Sequence, residues 1–356
     1  MKIIIEGMLI MKKIIDTLSE HNLPTVNDRF GKRLLSLNEN VYGCSKKVKN
    51  IKKININYNN YPDDNCLNLR EKISSKLNIK PENVLIGNGS GEILQIISRS
   101  FLSAGDEVIT CVPTYPYYFV ETVIEDGSFK SVPLKNNKFD IDGIINSITN
   151  KTKIIYITNP NNPTGTIITE AEMKKLIDKV RKDILIVSDE AYYEYVVDNK
   201  FPNNIEKIKN NDNLCVLRTF SKAYGLAAMR VGYLIGSEKL ISGFNKVRLT
   251  FNVSEFSQLL ACVAFDDQKF IDKCKQKNFL VKKYLYECLD ELKIKYIKSE
   301  TNFVLIKNQN DIFQLLKDNK IVSKLYCINN ESYIRLTIGN KKDINRIIKI
   351  IKKNFD

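Results

Sequence analysis

Between residues 107 and 218, four short β-branched apolar runs alternate with helical or turn-rich stretches. This rhythm restricts the fold more than any other feature of the chain. The runs cover 107–112, 153–158, 184–188 and 214–218. Each is apolar at successive positions, as expected of strands covered on both faces. Between the second and third runs, Thr169 stands three residues before Glu172 and just ahead of Met173, Leu176 and Ile177. That is a capping box opening an amphipathic helix. Repetition of strand, helix and strand predicts an α/β domain, doubly wound around a mostly parallel sheet.

After about residue 245 the pattern changes. Helices are expected over 254–266 and 270–293, and Leu280, Tyr284 and Cys288 are expected to share one core-facing stripe of the second. A strand at 302–306, a helix near 311–319, a strand near 333–337 and a last helix from about 342 complete an α+β pattern. A chain of 356 residues is too long for one small core. The expected organisation is an N-terminal arm or helix (1–36), a large domain (37–245) and a smaller C-terminal domain (246–356).

Composition narrows the function. The chain carries 55 Lys+Arg against 41 Asp+Glu, a formal charge of +14. The lysines are dispersed, and no basic stretch is interleaved with stacking aromatics, so no nucleic-acid partner is expected. None of the eight cysteines forms a CxxC pair, which argues against zinc and thioredoxin-type chemistry and for reduced thiols. His21 is the only histidine, so no histidine-rich metal site and no histidine-based triad is expected. The apolar start of the chain is interrupted by Glu6, no small-residue cleavage site follows, and no run has the length of a membrane span. A cytoplasmic protein is expected, with Met8 and Met11 as alternative starts to Met1.

The chemistry-bearing residues fall at strand ends, where open α/β sheets bind ligands. Gly89, Ser90 and Gly91 lie between a short apolar run and a helical one, so a helix N-terminus there could seat a phosphate. Tyr115 follows the 107–112 strand and could lie against a planar ring. Asn162 sits in a Pro- and Gly-fixed turn after 153–158. Asp189 and Tyr192 follow 184–188, and a buried acid there needs a cationic or hydrogen-bonding partner. After 214–218 come Thr219, Ser221 and Lys222, with Arg230 eight positions beyond the lysine. A lysine of lowered pKa can form a Schiff base, and the hydroxyls and the guanidinium suit a phosphate. Singly, each has a plainer reading: a glycine loop, a packed tyrosine, an ordinary turn, a helix cap, one lysine among many. The ordered set carries the argument.

That set resembles the fold-type I aminotransferases that depend on pyridoxal 5′-phosphate. The nearest resemblance is to histidinol-phosphate aminotransferase and its relatives, from about residue 30 to the C-terminus. Leu37-Asn38-Glu39-Asn40, Tyr42-Gly43, Tyr61-Pro62-Asp63, Arg218-Thr219-Phe220-Ser221-Lys222-Ala223 and Tyr333-Ile334-Arg335-Leu336-Thr337 add to it. The resemblance implies the following roles. Lys222 holds the cofactor as a Schiff base and moves the substrate proton. Asp189 keeps the pyridine nitrogen protonated. Asn162 and Tyr192 bond the ring hydroxyl, and Tyr115 stacks on the ring. Gly89, Ser90, Gly91, Thr219, Ser221 and Arg230 hold the phosphate. Tyr61 reaches the phosphate of a neighbouring subunit, which implies a homodimer. Arg335 clamps the substrate carboxylate, and Asn40 and Tyr42 border the pocket.

The chain departs from the subgroup's pattern at Val41, where proline is common, and at Gly91, where an acid is common. Lys324 lies where an extra arginine for the substrate phosphate is usual, and it offers a point charge without the planar fork. Amino transfer between glutamate and a small, phosphorylated acceptor leads. Decarboxylation of a phospho-amino acid, of the threonine-phosphate type, uses nearly the same residues. A PLP-binding regulator without catalysis is a remote third reading.

Overall fold

Strands form where the apolar runs predict them. The computed structural model describes residues 29–50 and 56–354, together with Lys12, Ile14, Ile15 and Leu18. His21, Met8, Met11 and most of the expected N-terminal arm lie outside the described residues. The strands begin with a two-residue piece, β1 (Arg33–Leu34). Next come β2 (Val84–Gly87), β3 (Glu107–Val112), β4 (Ser128–Pro133), β5 (Thr152–Thr158), β6 (Leu185–Asp189), β7 (Leu214–Thr219) and β8 (Gly232–Ile235). From β2 onward these lie side by side in the order β2-β8-β7-β6-β5-β3-β4. Strands β3 to β7 are parallel, and β8 runs antiparallel to both β7 and β2.

Successive side chains leave a strand on opposite faces. Ile155 and Ile157 therefore join one apolar cluster with Ile186 and Val216, while Ile154 and Tyr156 join another with Val187 and Leu217. Because both faces are covered, the strands read as unbroken apolar runs. Strands β4 and β8 escape the sequence reading. Strand β4 is a half-exposed sheet edge with polar residues, and β8 has only four residues directly after a turn. The parallel arrangement brings the carboxyl ends of β3, β5, β6 and β7 to one rim. Two helices start near that rim, α1 (Gly89–Phe101) and α2 (Tyr117–Ile124).

A second sheet follows, with β9 (Tyr296–Ile297), β10 (Phe303–Lys307), β12 (Lys324–Ile328) and β13 (Glu331–Thr337) antiparallel in the order β12-β13-β10-β9. Between β10 and β12 in the chain lies β11 (Ile321–Val322), which pairs in parallel with β1. An apolar cluster of Leu285, Leu289, Val304, Ile334, Leu336, Ile344 and Ile348 backs this sheet, and Leu35 belongs to it. The long helix α3 (Gln268–Glu291) spans from one core to the other, since Ile271 packs with the large sheet and Leu285 with the small one. On this packing we propose that the two units divide within α3, and that residues 33–35 pack with the smaller unit.

The expected apolar stripe of α3 needs correction. Leu280 is 57% exposed, whereas Ile271, Cys274, Asn278, Lys282, Leu285 and Leu289 are buried. The spacing of three and four holds. Cys288 is buried and Tyr284 packs partly buried against the smaller core, so Leu280 alone departs from the expected stripe. The buried face also includes an asparagine and a lysine that donate to the carbonyls of Ser299 and Thr301, which an apolar count passes over.

Candidate active site

Asp189 ends β6 and is buried. Its Oδ2 accepts a 2.6 Å bond from the Tyr118 hydroxyl, and its Oδ1 accepts from the Ala191 N–H at 3.1 Å. Burial outweighs these donors and pushes the carboxyl up to about 6. A cation against it would restore full ionisation.

Lys222 lies in the turn after β7. Its Nζ donates to the Leu37 carbonyl at 3.0 Å and stands 5.7 Å from the centre of the Tyr192 ring. Burial lowers the ammonium to about 8, helped by the charges of Arg335 and Arg230 and opposed by Glu39 and Asp189. This is the environment in which a lysine becomes a nucleophile near neutral pH.

Around these two groups stand the ring-facing residues. The Tyr192 hydroxyl accepts from Asn38 Nδ2 at 2.9 Å, and its ring meets Phe303 edge-on. Asn162 Oδ1 accepts from Arg335 Nη1 at 2.5 Å. Tyr115 stacks on Tyr117 with ring centres 5.5 Å apart.

A candidate anion seat forms at the start of α1. Gly89 has φ +78°, and a Cβ there would lie 2.4 Å from Arg230 Nη2. Only glycine supplies that conformation while admitting the guanidinium. A Cβ on Gly232 would meet the Ser90 nitrogen at 2.6 Å, so β8 also packs tightly under this turn. Arg230 Nη1 donates to Ser221 Oγ at 3.3 Å, and Thr219 Oγ1 accepts from the Ser221 N–H. Gly91 faces open space. The helix start, the guanidinium and the hydroxyls thus converge as an anion site.

Arg335 comes from the other sheet. It is 5% exposed and donates only to neutral oxygens, those of Asn162, Tyr326 and Ser36. Its Nε is buried and has no partner among the described residues. A guanidinium placed so is ready for an anionic ligand. Lys324 pairs opposite Arg335 in the sheet register, with Nζ 5.6 Å from the Tyr326 ring. Asn40 Nδ2 donates to the Ala223 carbonyl beside Lys222, and Asn40 Oδ1 accepts from the Tyr42 N–H. The Lys277 ammonium stands 5.0 Å from the Tyr42 ring centre.

Tyr61 is the outlier. It is 80% exposed, stacks on Phe251 at 4.5 Å and lines an open cavity of about 790 Å³ with Asn88, Arg230, Phe251 and Asn252.

Sequence reasoning missed Tyr118, Asn38 and Tyr326, the partners of Asp189, Tyr192 and Arg335. For Tyr118 a signal existed, since it lies three positions after Tyr115, at the start of a helix. Tyr326 had none, because its strand is exposed and irregular in pattern.

The donor set fits the cofactor that the resemblance implies. It combines an amine of lowered pKa, an acid across from it, a ring-facing amide and an anion seat with its own arginine. Known proteins agree. The family profile for Aminotransferase class I and II matches residues 32–351. A histidinol-phosphate aminotransferase of Geobacillus sp. (strain WCH70) is 40% identical, over 88% of this chain and 87% of that protein. Histidinol-phosphate aminotransferase 2 of Bacillus cereus (strain ATCC 10987 / NRS 248) is 38% identical, over 90% and 88%. Among solved structures, the histidinol-phosphate aminotransferase of Sinorhizobium meliloti in complex with pyridoxal-5′-phosphate shares the fold. It superposes with a TM-score of 0.88 at 22% identity, covering 98% of each chain.

Proposed function

This chain belongs to the aminotransferase class I and II family, and from that membership we propose that it moves an amino group between glutamate and a small phosphorylated substrate. Histidinol phosphate and imidazole acetol phosphate are the best case, because relatives 38–40% identical over most of the chain carry that name. The enzyme depends on pyridoxal 5′-phosphate, which when bound supplies the electron sink for the substrate's α-carbon. The carrying observation is Arg335, a buried guanidinium with an unpartnered Nε beside Asn162.

Each residue then has a task. Arg335 grips a substrate anion with its fork, and Lys324 adds a second positive charge for a phosphate. Lys222 moves a proton between the substrate α-carbon and the cofactor C4′ atom. Asp189 holds the proton on the ring nitrogen. Asn162 and Tyr192 orient the ring hydroxyl, and Tyr115 covers the ring face. Gly89, Ser90, Gly91, Thr219, Ser221 and Arg230 hold the phosphate. Asn40 and Tyr42 border the substrate.

Two copies pair, with Tyr61 of each reaching the phosphate of the other. What supports this is the exposed apolar surface of Tyr58, Tyr61, Leu67, Leu249, Phe251 and Phe256. Among the described residues no helix is long and apolar enough to cross a membrane.

The test is an assay of protein loaded with pyridoxal phosphate, using histidinol phosphate and 2-oxoglutarate. Glutamate formation is expected. Release of carbon dioxide from a phospho-amino acid without any keto-acid exchange would reject transamination.

A further inference from the structure

We propose that Tyr118 is a positioning residue for the proposed reaction, orienting Asp189 and keeping its carboxylate an acceptor for the ring nitrogen of the cofactor. The proposal rests on the pyridoxal-phosphate reading of the site. Tyr118 is the second residue of α2 and is fully buried. Its ring lies parallel on Tyr156, with centres 4.4 Å apart and planes 7° apart, and meets Tyr115 edge-on at 5.7 Å. That packing leaves the ring little freedom and fixes where the hydroxyl points.

The hydroxyl touches two groups. Asp189 Oδ2 lies at 2.6 Å and Thr158 Oγ1 at 2.9 Å, with Thr114 Oγ1 2.8 Å beyond the threonine. A phenol oxygen this close to a carboxylate oxygen has the length of a charge-assisted bond. An ionised carboxylate only accepts, so Tyr118 donates to it. The Ala191 N–H holds the other oxygen from the strand end. Together the two donors set the plane of the carboxylate and favour its charged form against the cost of burial.

Other groups facing Asp189 do not do this. Glu190 disfavours its charge, Lys222 favours it without a bond to it, and Tyr115 and Tyr192 are felt through charge alone, with no hydrogen bond to Asp189 among the described residues. Tyr118 therefore acts on the cofactor through Asp189. A tyrosine used only for packing would need no hydroxyl, and phenylalanine would keep the Tyr156 stack.

The experiment compares wild type and Tyr118→Phe as purified protein reconstituted with pyridoxal phosphate. Without the phenol, Asp189 loses a donor that favours its charged form, so it takes up the shared proton more readily and the ring nitrogen holds that proton less firmly. The variant is expected to bind pyridoxal phosphate roughly tenfold more weakly. The pH midpoint of the visible chromophore is expected to rise, because less positive charge at the ring nitrogen lets the chromophore keep its own proton longer. In an Asp189→Asn background the same substitution is expected to change neither quantity. Thr158→Val, which leaves the Tyr118–Asp189 bond in place, should move the midpoint the same way by less, and it serves if Tyr118→Phe does not fold. Wild-type affinity and midpoint in the folded variants, whatever their melting temperatures, would overturn the proposal. So would equal effects with and without Asp189. A wild-type protein without any chromophore would overturn the cofactor reading itself, and this proposal with it.

Discussion

Two arginines, one in each sheet, are both 5% exposed, yet their surroundings are opposite. Arg218 of β7 is closed. Its Nε and Nη2 bond Glu190 Oε2 at 3.0 and 2.7 Å, and its guanidinium lies 3.6 Å from the Tyr193 ring centre. Asn204 donates to the other oxygen of the same carboxylate. Among the described residues Arg335 of β13 has no carboxylate partner, only neutral acceptors and one idle nitrogen. Desolvating a charge is costly unless it is paired. Arg218 is paired inside the protein, so its charge is spent on structure. Arg335 has no such partner among the described residues, so its charge is available to an anionic ligand. Burial alone therefore does not mark a functional arginine, whereas burial without a counter-charge does.

The comparison sets the order of the tests. The largest effect belongs to Lys222, whose ammonium Arg335 disfavours. Lys222→Ala is expected to lower turnover roughly a thousandfold or more, and single-turnover kinetics on the reconstituted variant will measure it. Next comes the closed arginine. Arg218→Met leaves Glu190 buried without its partner and should cost about 3–5 kcal/mol of stability, read by denaturant unfolding. Arg335→Lys should do the reverse. It keeps the fold and raises the substrate KM roughly tenfold or more, from the loss of about 1.5–3 kcal/mol of charged hydrogen bonding. Similar losses of stability in both variants would break the contrast between them.

The smallest effect concerns pH. Asp189 has its folded carboxyl raised from 3.8 to about 6, so the native protein binds this proton more tightly than the unfolded chain. The associated stability is present below about 4 and is lost as pH rises through 6. Protein free of cofactor should therefore gain on Asp189→Asn as pH falls from 6 to 4, in parallel unfolding titrations. A difference that does not change with pH would mean that Asp189 titrates as an ordinary exposed carboxyl.

Legibility followed the same division. The floor of the site was readable because its residues arrive in chain order at the ends of β5, β6 and β7, and strand ends are where an open sheet binds. Lys222, Asp189, Asn162 and Arg230 were singled out that way. Tyr118 was missed because a tyrosine in an apolar helix looks like core until its hydroxyl is seen on Asp189. The stripe of α3 was misread at Leu280 because Lys282, a buried lysine, occupies the face that an apolar pattern is searched for.

By itself the sequence determined the strand rhythm, the capped helices and the order of the chemical groups. These depend on neighbours a few residues apart, and local sterics and periodicity govern them. Only the tertiary structure decided which groups meet. Arg335 reaches Asn162 across 173 positions, and Asn38 reaches Tyr192 across 154. It also decided which charge is neutralised, since Arg218 found Glu190 and Arg335, among the described residues, found no acid. A sequence records that two arginines exist. Their difference lies in the dielectric and the partners around each, and those are properties of packing.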